Sequence, residues 1–538
     1  MILSHFHVKF GISNIKDNLK RKFFCNILRL AALGQTKMGS RFQNHFTQPS
    51  MMHASYEWAR ADIILFVGLV CLLIARLVAL YITPLELGVD EAQYWVWSQD
   101  LSFGYYSKPP LIAWIIGISH SLFGHSSFGV RVFAPIIQFI ITLILWRCAY
   151  RLYDDNPKGG KIARIAALLW ALIPAVSLGS AVISTDTPML LFWCIALYLL
   201  LPSNSVTHLS SRKFLLAGLV VGFAMLSKYA GAYFLLCSSI WLVAGHVSSY
   251  SKRFVCLLTL LSGSLLVMMP NLIWNLDNGL VTIIHLSENA NLSLPSYSLI
   301  SLIDFWQAQI FVFGPLSLVC FFAAIFRWQK HSLFLLIFCI PVLVIISIQA
   351  YLKEANANWA VAAYPSATLL VAGWLGNFSR QTLSHATIFI NALIGIIIIS
   401  VTVTGQLGSL TPESDPLRRV RGWQALSADL ERQIEINNAR TIIADRRATA
   451  AILKWHFYKD PVQITVYDSD NHPGNHFELK FSYNAVSPSP IIALSQKQII
   501  PSIAGIEWTG LVGTSNHKIA KNRYRKYYFY LGDNALNK

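Results

Sequence analysis

Apolar runs of about 17–25 residues recur along most of this chain, each long enough to cross a bilayer as a helix. That pattern leaves few folds open, because a backbone in lipid must satisfy its own hydrogen bonds. The composition agrees: 54% of the 538 residues are hydrophobic and 13% charged, against roughly a quarter charged in a soluble protein. The reading is a polytopic α-helical membrane protein with about eleven transmembrane helices. The spans fall near 61–82, 131–150, 163–182, 187–202, 213–228, 230–246, 254–272, 306–326, 333–350, 359–376 and 386–406.

The net charge of +17 does not indicate a nucleic-acid partner, because the basic residues lie between spans and form no single stripe. Arg147, Arg151, Lys158, Lys161 and Arg164 flank one connection, Arg212 and Lys213 a second, Lys252 and Arg253 a third, Arg327 and Lys330 a fourth. Counting spans puts all four on one side, which the positive-inside rule makes cytoplasmic. The opposite face then carries 83–130, the turn at Ser184-Thr185-Asp186, 273–305, and the stretch from Lys353 to Asn358. Trp95, Trp97, Tyr105 and Tyr106 in the first of these read as short helices in the membrane interface. Trp274, His285 and Pro295 give 273–305 the same character.

Three domains are expected. Residues 1–58 form a cytoplasmic leader, either disordered or the result of a misplaced start, with Met38, Met51 or Met52 as alternatives. Residues 59–407 form the transmembrane domain. Residues 408–538 form a small outer α/β domain, with strands at 441–444 and 463–467, helices at 422–437 and 446–458, and further strand pieces at 491–494 and 527–531. Cysteines lie in apolar runs apart from Cys25, and the outer domain has none, so no disulfide framework is read.

Ionisable residues beside a membrane tend to mark function. Asp90-Glu91 stands where the first span has ended, in an aromatic segment stiffened by Lys108-Pro109-Pro110. Either acid could be a general base or a metal ligand, or the pair could cap an interfacial helix. Asp186 begins a Pro-initiated helix, where a carboxylate is rigidly placed. Lys228 runs against the positive-inside bias; it either snorkels to lipid headgroups or, with Lys108, suits a phosphate at the membrane surface. Arg131 is a weaker cation of that kind. Lys353-Glu354, Asn356, Asn358 and Trp359 make a further polar cluster, and Arg76 lies deep in a span, where it needs a partner. No HExxH-type spacing is present, and a divalent metal is left open.

Asp90-Glu91-Ala92, the stretch from Gly104 to Trp114, Gly129-Val130-Arg131, Ser184 to Pro188, Leu226 to Tyr229, Pro270 to Asn275 and Glu354 to Trp359 resemble, in order, motifs of the bacterial family 39 glycosyltransferases. This is the protein mannosyltransferase-like group that includes the lipid A aminoarabinose transferases. The resemblance covers roughly 60–410. It implies a GT-C fold, a polyprenyl-phosphate-linked sugar donor, inversion, and transfer on the periplasmic face of a bacterial inner membrane. The acceptor it favours is lipid A or lipopolysaccharide core, with protein second. It implies Asp90 as catalytic carboxylate, supported by Glu91 and Asp186. Tyr106, Lys108, Arg131, Lys228, Glu354 and Asn358 would bind substrate. A polyprenyl phosphate leaves without protonation, so one carboxylate suffices as base, while cations stabilise the phosphate. A flippase for lipid-linked sugars and a non-enzymatic envelope scaffold are the competing readings. The first fits less well because the candidate acids cluster at one face and no repeat is visible.

Overall fold

The computed structural model describes residues 49–202, 210–244, 249–290, 297–329, 331–378, 381–407, 415–470, 472–484 and 486–535. Most of the leader, Pro295, Lys330 and the start of the expected outer domain at 408–414 lie outside the described residues. The chain divides into compact units at Met1–Ile63 and Ile64–Lys538. In the first, only the helical stretch from Pro49 is described. The second holds both the helical bundle and the sheet.

Each of the eleven apolar segments is helical. Six are long and apolar enough to cross a membrane among the described residues: Arg60–Ile82, Ser127–Leu152, Tyr250–Asp277, Ser332–Leu352, Ala357–Asn377 and Gln381–Thr404. The segment expected at 306–326 is two helices, Leu299–Phe313 and Pro315–Ile325, bent by 106°. The break follows from Gly314 at φ +94° and from Pro315, which starts a helix readily but cannot continue one. The other four are shorter; Asp186–Leu200 has 15 residues and Ser211–Ser227 has 17, or about 23 and 26 Å of helix. The expected spans thus include six helices of full length, or seven with the bent pair.

Small residues let the bundle close. On Ser211–Ser227, a side chain at Gly218 would strike the Leu260 carbonyl of Tyr250–Asp277, and one at Gly263 would strike the Leu215 carbonyl. Ser264 adds a hydrogen bond to the Gly218 carbonyl at 3.0 Å. This is close backbone approach of the kind membrane helices use in place of a hydrophobic drive. Arg76 finds its partners across the bundle, donating to the Ala171 carbonyl at 2.6 Å and to Ser177 at 3.2 Å. At one end, Arg151 donates to the Tyr198 carbonyl at 3.2 Å, so the first basic connection lies beside the end of Asp186–Leu200.

At the other end sits a layer of short helices, α1 (Val89–Ser98) and α2 (Leu111–Phe123). The sheet domain covers this layer. Its strands are β1 (Thr441–Ala444), β2 (Gln463–Val466), β3 (Ile491–Ser495), β4 (Ile506–Ala520) and β5 (Arg523–Asn534), in the order β2-β1-β3-β5-β4. The first three are parallel; β5 pairs antiparallel with β3, and β4 pairs antiparallel with β5 at the edge. Two helices, α3 (Trp423–Asn437) and α4 (Arg447–His456), pack with it, and a short third, α5, covers His476–Phe481. The elements expected by pattern are present; β4 is an additional strand.

One expectation needs correction. Trp95 and Trp97 are 3% and 0% exposed; they lie in a core shared with Trp423, Ile442 and Trp455 of the sheet domain. Trp95 meets Trp455 edge-on at 5.0 Å, and His125 stacks on Trp455 at 3.7 Å. These aromatics are therefore not a lipid-facing belt. On α2, by contrast, Ile118, Leu122 and Phe123 are exposed.

Candidate active site

Glu91 fixes the frame. Its carboxylate accepts from Arg131 Nε at 2.8 Å and Nη2 at 2.6 Å, from the Gly88 amide at 2.9 Å and from the Ile183 amide at 3.1 Å. Arg131 spends its other donors on the Leu85 and Glu86 carbonyls. Both side chains are buried. A bidentate pair satisfied on every side is a structural bolt. It also has a directional effect: the Ile183 amide anchors the start of the Ser184-Thr185-Asp186 turn to α1. The geometry gives Arg131 no free face toward a substrate, and Glu91 no free lone pair.

Asp186, Lys228 and Asn358, far apart in sequence, meet. Lys228 Nζ donates to Asp186 Oδ1 at 2.6 Å, and Asn358 Nδ2 donates to Oδ2 at 2.7 Å. Asp186 thereby orients a cation and a side-chain amide at once. Lys228 caps the end of its helix, and the next residue, Tyr229, donates to Asn271 at 2.9 Å. Asn271 in turn donates to the Phe103 carbonyl at 2.7 Å, and Thr282 to the Tyr105 carbonyl at 2.8 Å. Gly104 leaves no room for a side chain against Trp274. The Pro270–Asn275 stretch therefore ties the Lys228 corner to the loop that carries Lys108.

Asp90 is the accessible member of its pair, with its side chain 69% exposed. It faces a cavity of about 250 Å³ also lined by Gln93, Tyr94, Tyr106, Lys108 and His285. The sheet domain closes it with Arg447, Asn475 and His476. Burial, and then the charge of Lys228, pull the Lys108 ammonium below its ordinary range, with Asp90 and Asp186 acting in the opposite sense. Burial raises the Tyr94 phenol, and the Asp90 and Asp186 charges raise it further. Burial pushes the His285 and His476 imidazoles down, His476 to about 4. Both rings are therefore neutral near pH 7.

Of the expected site residues, Asp90, Tyr106 and Lys108 line the cavity, while Asp186, Lys228 and Asn358 form the adjoining cluster. Glu91 and Arg131 are withdrawn into the frame. Glu354 is exposed and is not brought into either group. Among the described residues, no three His, Cys, Asp or Glu side chains gather as a metal site. Gln93, His285, Arg447 and His476 are site residues that sequence reasoning missed. Arg447 had a signal: a cation in the first turn of a helix opposes the helix dipole.

Comparison with known proteins gives the family and the fold. Residues 107–274 match the family described as dolichyl-phosphate-mannose-protein mannosyltransferase. The lipid A galacturonosyltransferase RgtD of Rhizobium johnstonii is 30% identical over 428 residues, covering 78% of this chain and 88% of that protein. The crystal structure of ArnT from Cupriavidus metallidurans in the apo state superposes with a TM-score of 0.62 at 13% identity, over 88% of this chain and 98% of that one. Its form bound to undecaprenyl phosphate gives 0.59 at 14% identity, with the same coverage. The fold is thus that of the GT-C enzymes, and the chain belongs to the protein mannosyltransferase-like, family 39 type of membrane glycosyltransferases.

Proposed function

We propose that this glycosyltransferase moves a sugar from an undecaprenyl-phosphate donor to lipid A or lipopolysaccharide core on the periplasmic face of the inner membrane. The observation that carries the reading is the convergence of Asp90, Lys108 and the Lys228–Asp186–Asn358 cluster at one end of the bundle, opposite the basic connections. The donor class is supported by the ArnT neighbour, which binds undecaprenyl phosphate. The acceptor is supported by RgtD, whose name specifies lipid A.

In this reading the donor phosphate enters between Lys108 and Lys228. Two cations held close together are destabilised by each other, and an arriving anion relieves that. Asp90 accepts the proton of the acceptor hydroxyl as its oxygen attacks the anomeric carbon from the face opposite the phosphate. The sugar–phosphate bond breaks, and the extra negative charge on the departing phosphate is met by the lysines. Asp186 and Asn358 hold Lys228 in place; the Glu91–Arg131 bolt holds α1, and with it Asp90. Attack opposite the leaving group inverts the anomeric centre.

The test is mass spectrometry of lipid A and core from cells lacking the protein, complemented by wild type or by Asp90→Asn. Wild type restores a sugar-sized mass and Asp90→Asn, present in the membrane at equal level, does not. Restoration by Asp90→Asn removes Asp90 from the mechanism, and unchanged lipid A and core in the deletion remove the proposed acceptor.

A further inference from the structure

The sheet domain does more than cover the site. Parallel strands β1 and β3 end on the side facing α1, and α/β sheets place ligands at such carboxyl edges. Just past β1, Asp445-Arg446 turn the chain into α4, whose first residue is Arg447. Its Nη1 donates to Gln93 Oε1 at 2.7 Å and stands 3.5 Å from Asp90 Oδ1. The side chain remains 46% exposed, so one good bond to a neutral amide leaves most of the guanidinium fork facing the cavity.

Next to it is His476, 8% exposed, with its ring set edge-on to Trp97 at 5.6 Å and Tyr105 at 5.9 Å. Its Nδ1 is buried without a hydrogen-bond partner. Because that atom presents no accessible surface, the ring contributes shape to the cavity wall. The cavity, at about 250 Å³, lies below the roughly 300–1,000 Å³ of drug-sized pockets. It suits one sugar ring and excludes a whole lipid headgroup. Its charged lining consists of Lys108 and Arg447 against Asp90. That balance opposes a cationic amino sugar, and a planar fork of donors matches a carboxylate.

Resting on the glycosyltransferase reading above, we infer that Arg447 is a specificity residue lent by the sheet domain: its guanidinium pairs with a carboxylate on the transferred sugar. The position beside Asp90 places this contact on the donor sugar at the reacting centre.

The experiment uses the full chain in nanodiscs with lipid A as acceptor and two donors of matched ring configuration, undecaprenyl-phosphate hexuronate and undecaprenyl-phosphate hexose. Wild type prefers the acidic donor. Arg447→Gln lowers the hexuronate-to-hexose ratio of kcat/KM by about 10- to 100-fold, the size of a lost charged hydrogen bond, chiefly through KM. Arg447→Lys recovers part of the ratio. A thermal midpoint equal to wild type shows that the domain is still seated. Equal losses on both donors, a higher KM for lipid A alone, or a wild type that does not prefer the acidic donor overturns the assignment and leaves the functional reading standing. Absence of transfer from both donors by wild type refutes that reading and the assignment with it.

Discussion

Glu91 and Arg131, forty residues apart, are joined by two hydrogen bonds of 2.8 and 2.6 Å with both side chains almost wholly buried. Asp90, the residue beside Glu91, is mostly exposed. Adjacent carboxylates thus separate into one that holds the fold and one that is free to react. Removing one partner of a buried pair strands the other, a loss of about 3–5 kcal/mol. Glu91→Ala and Arg131→Ala are each expected to lower the thermal midpoint of the purified protein and its level in the membrane. Asp90→Asn should leave the midpoint within about a degree, since exposed substitutions rarely exceed ±0.5 kcal/mol.

The Lys228–Asp186 contact makes a different prediction. Lys228→Met removes a cation from the expected phosphate position and should reduce kcat/KM for the donor by about 100-fold or more, as deletion of an electrostatic stabiliser does. Asp186→Asn keeps the shape but loosens Lys228, and a smaller loss is expected. Initial rates against donor concentration, at fixed acceptor, distinguish the two. Equal activity in Lys228→Met would exclude the lysine from donor binding.

Acid should loosen the sheet domain. Burial depresses His125, His456 and His476 to about 4 each, against roughly 6.5 when unfolded. For groups with lowered histidine pKa values, the unfolded chain binds more protons between pH 6.5 and 4, so stability falls as pH drops through that window and is fully present above it. Thermal midpoints measured from pH 7.5 to 4.5 should decline below about pH 6.5. His125→Phe, which keeps a ring on Trp455, should flatten the decline.

The seam itself can be tested through Trp455. Truncating a buried aromatic costs about 3–5 kcal/mol, and Trp455→Ala also removes the ring on which His125 and Trp95 rest. Limited proteolysis should cut Trp455→Ala within the sheet domain at protease levels that leave wild type intact. The bundle itself should resist in both.

Much of this architecture was legible in the chain. Each long apolar segment became a helix, because spacing and hydrophobicity suffice where lipid removes the alternatives. Asp90, Lys108, Asp186 and Lys228 were readable as charges in improbable places. Pairing was harder to see. Nothing local in Arg131 tells that it faces Glu91 rather than a phosphate, and Arg447 reaches Gln93 across more than three hundred residues. Trp95 and Trp97 misled for a related reason: an aromatic-rich amphipathic segment looks the same whether lipid or protein covers it. β4 escaped because most of its residues are exposed or half-exposed, leaving little hydrophobic contrast to betray a strand.

The core that α1 shares with the sheet domain also orders events during biogenesis. Trp95 and Trp97 belong to one buried cluster with Trp423, Ile442 and Trp455, residues that lie more than three hundred positions further along the chain. Until that stretch has been made, the indoles lack this part of their cover, and the cavity lacks the wall that carries Arg447. Insertion of the helices and enclosure of the cavity are therefore separate events, the second waiting on the sheet domain.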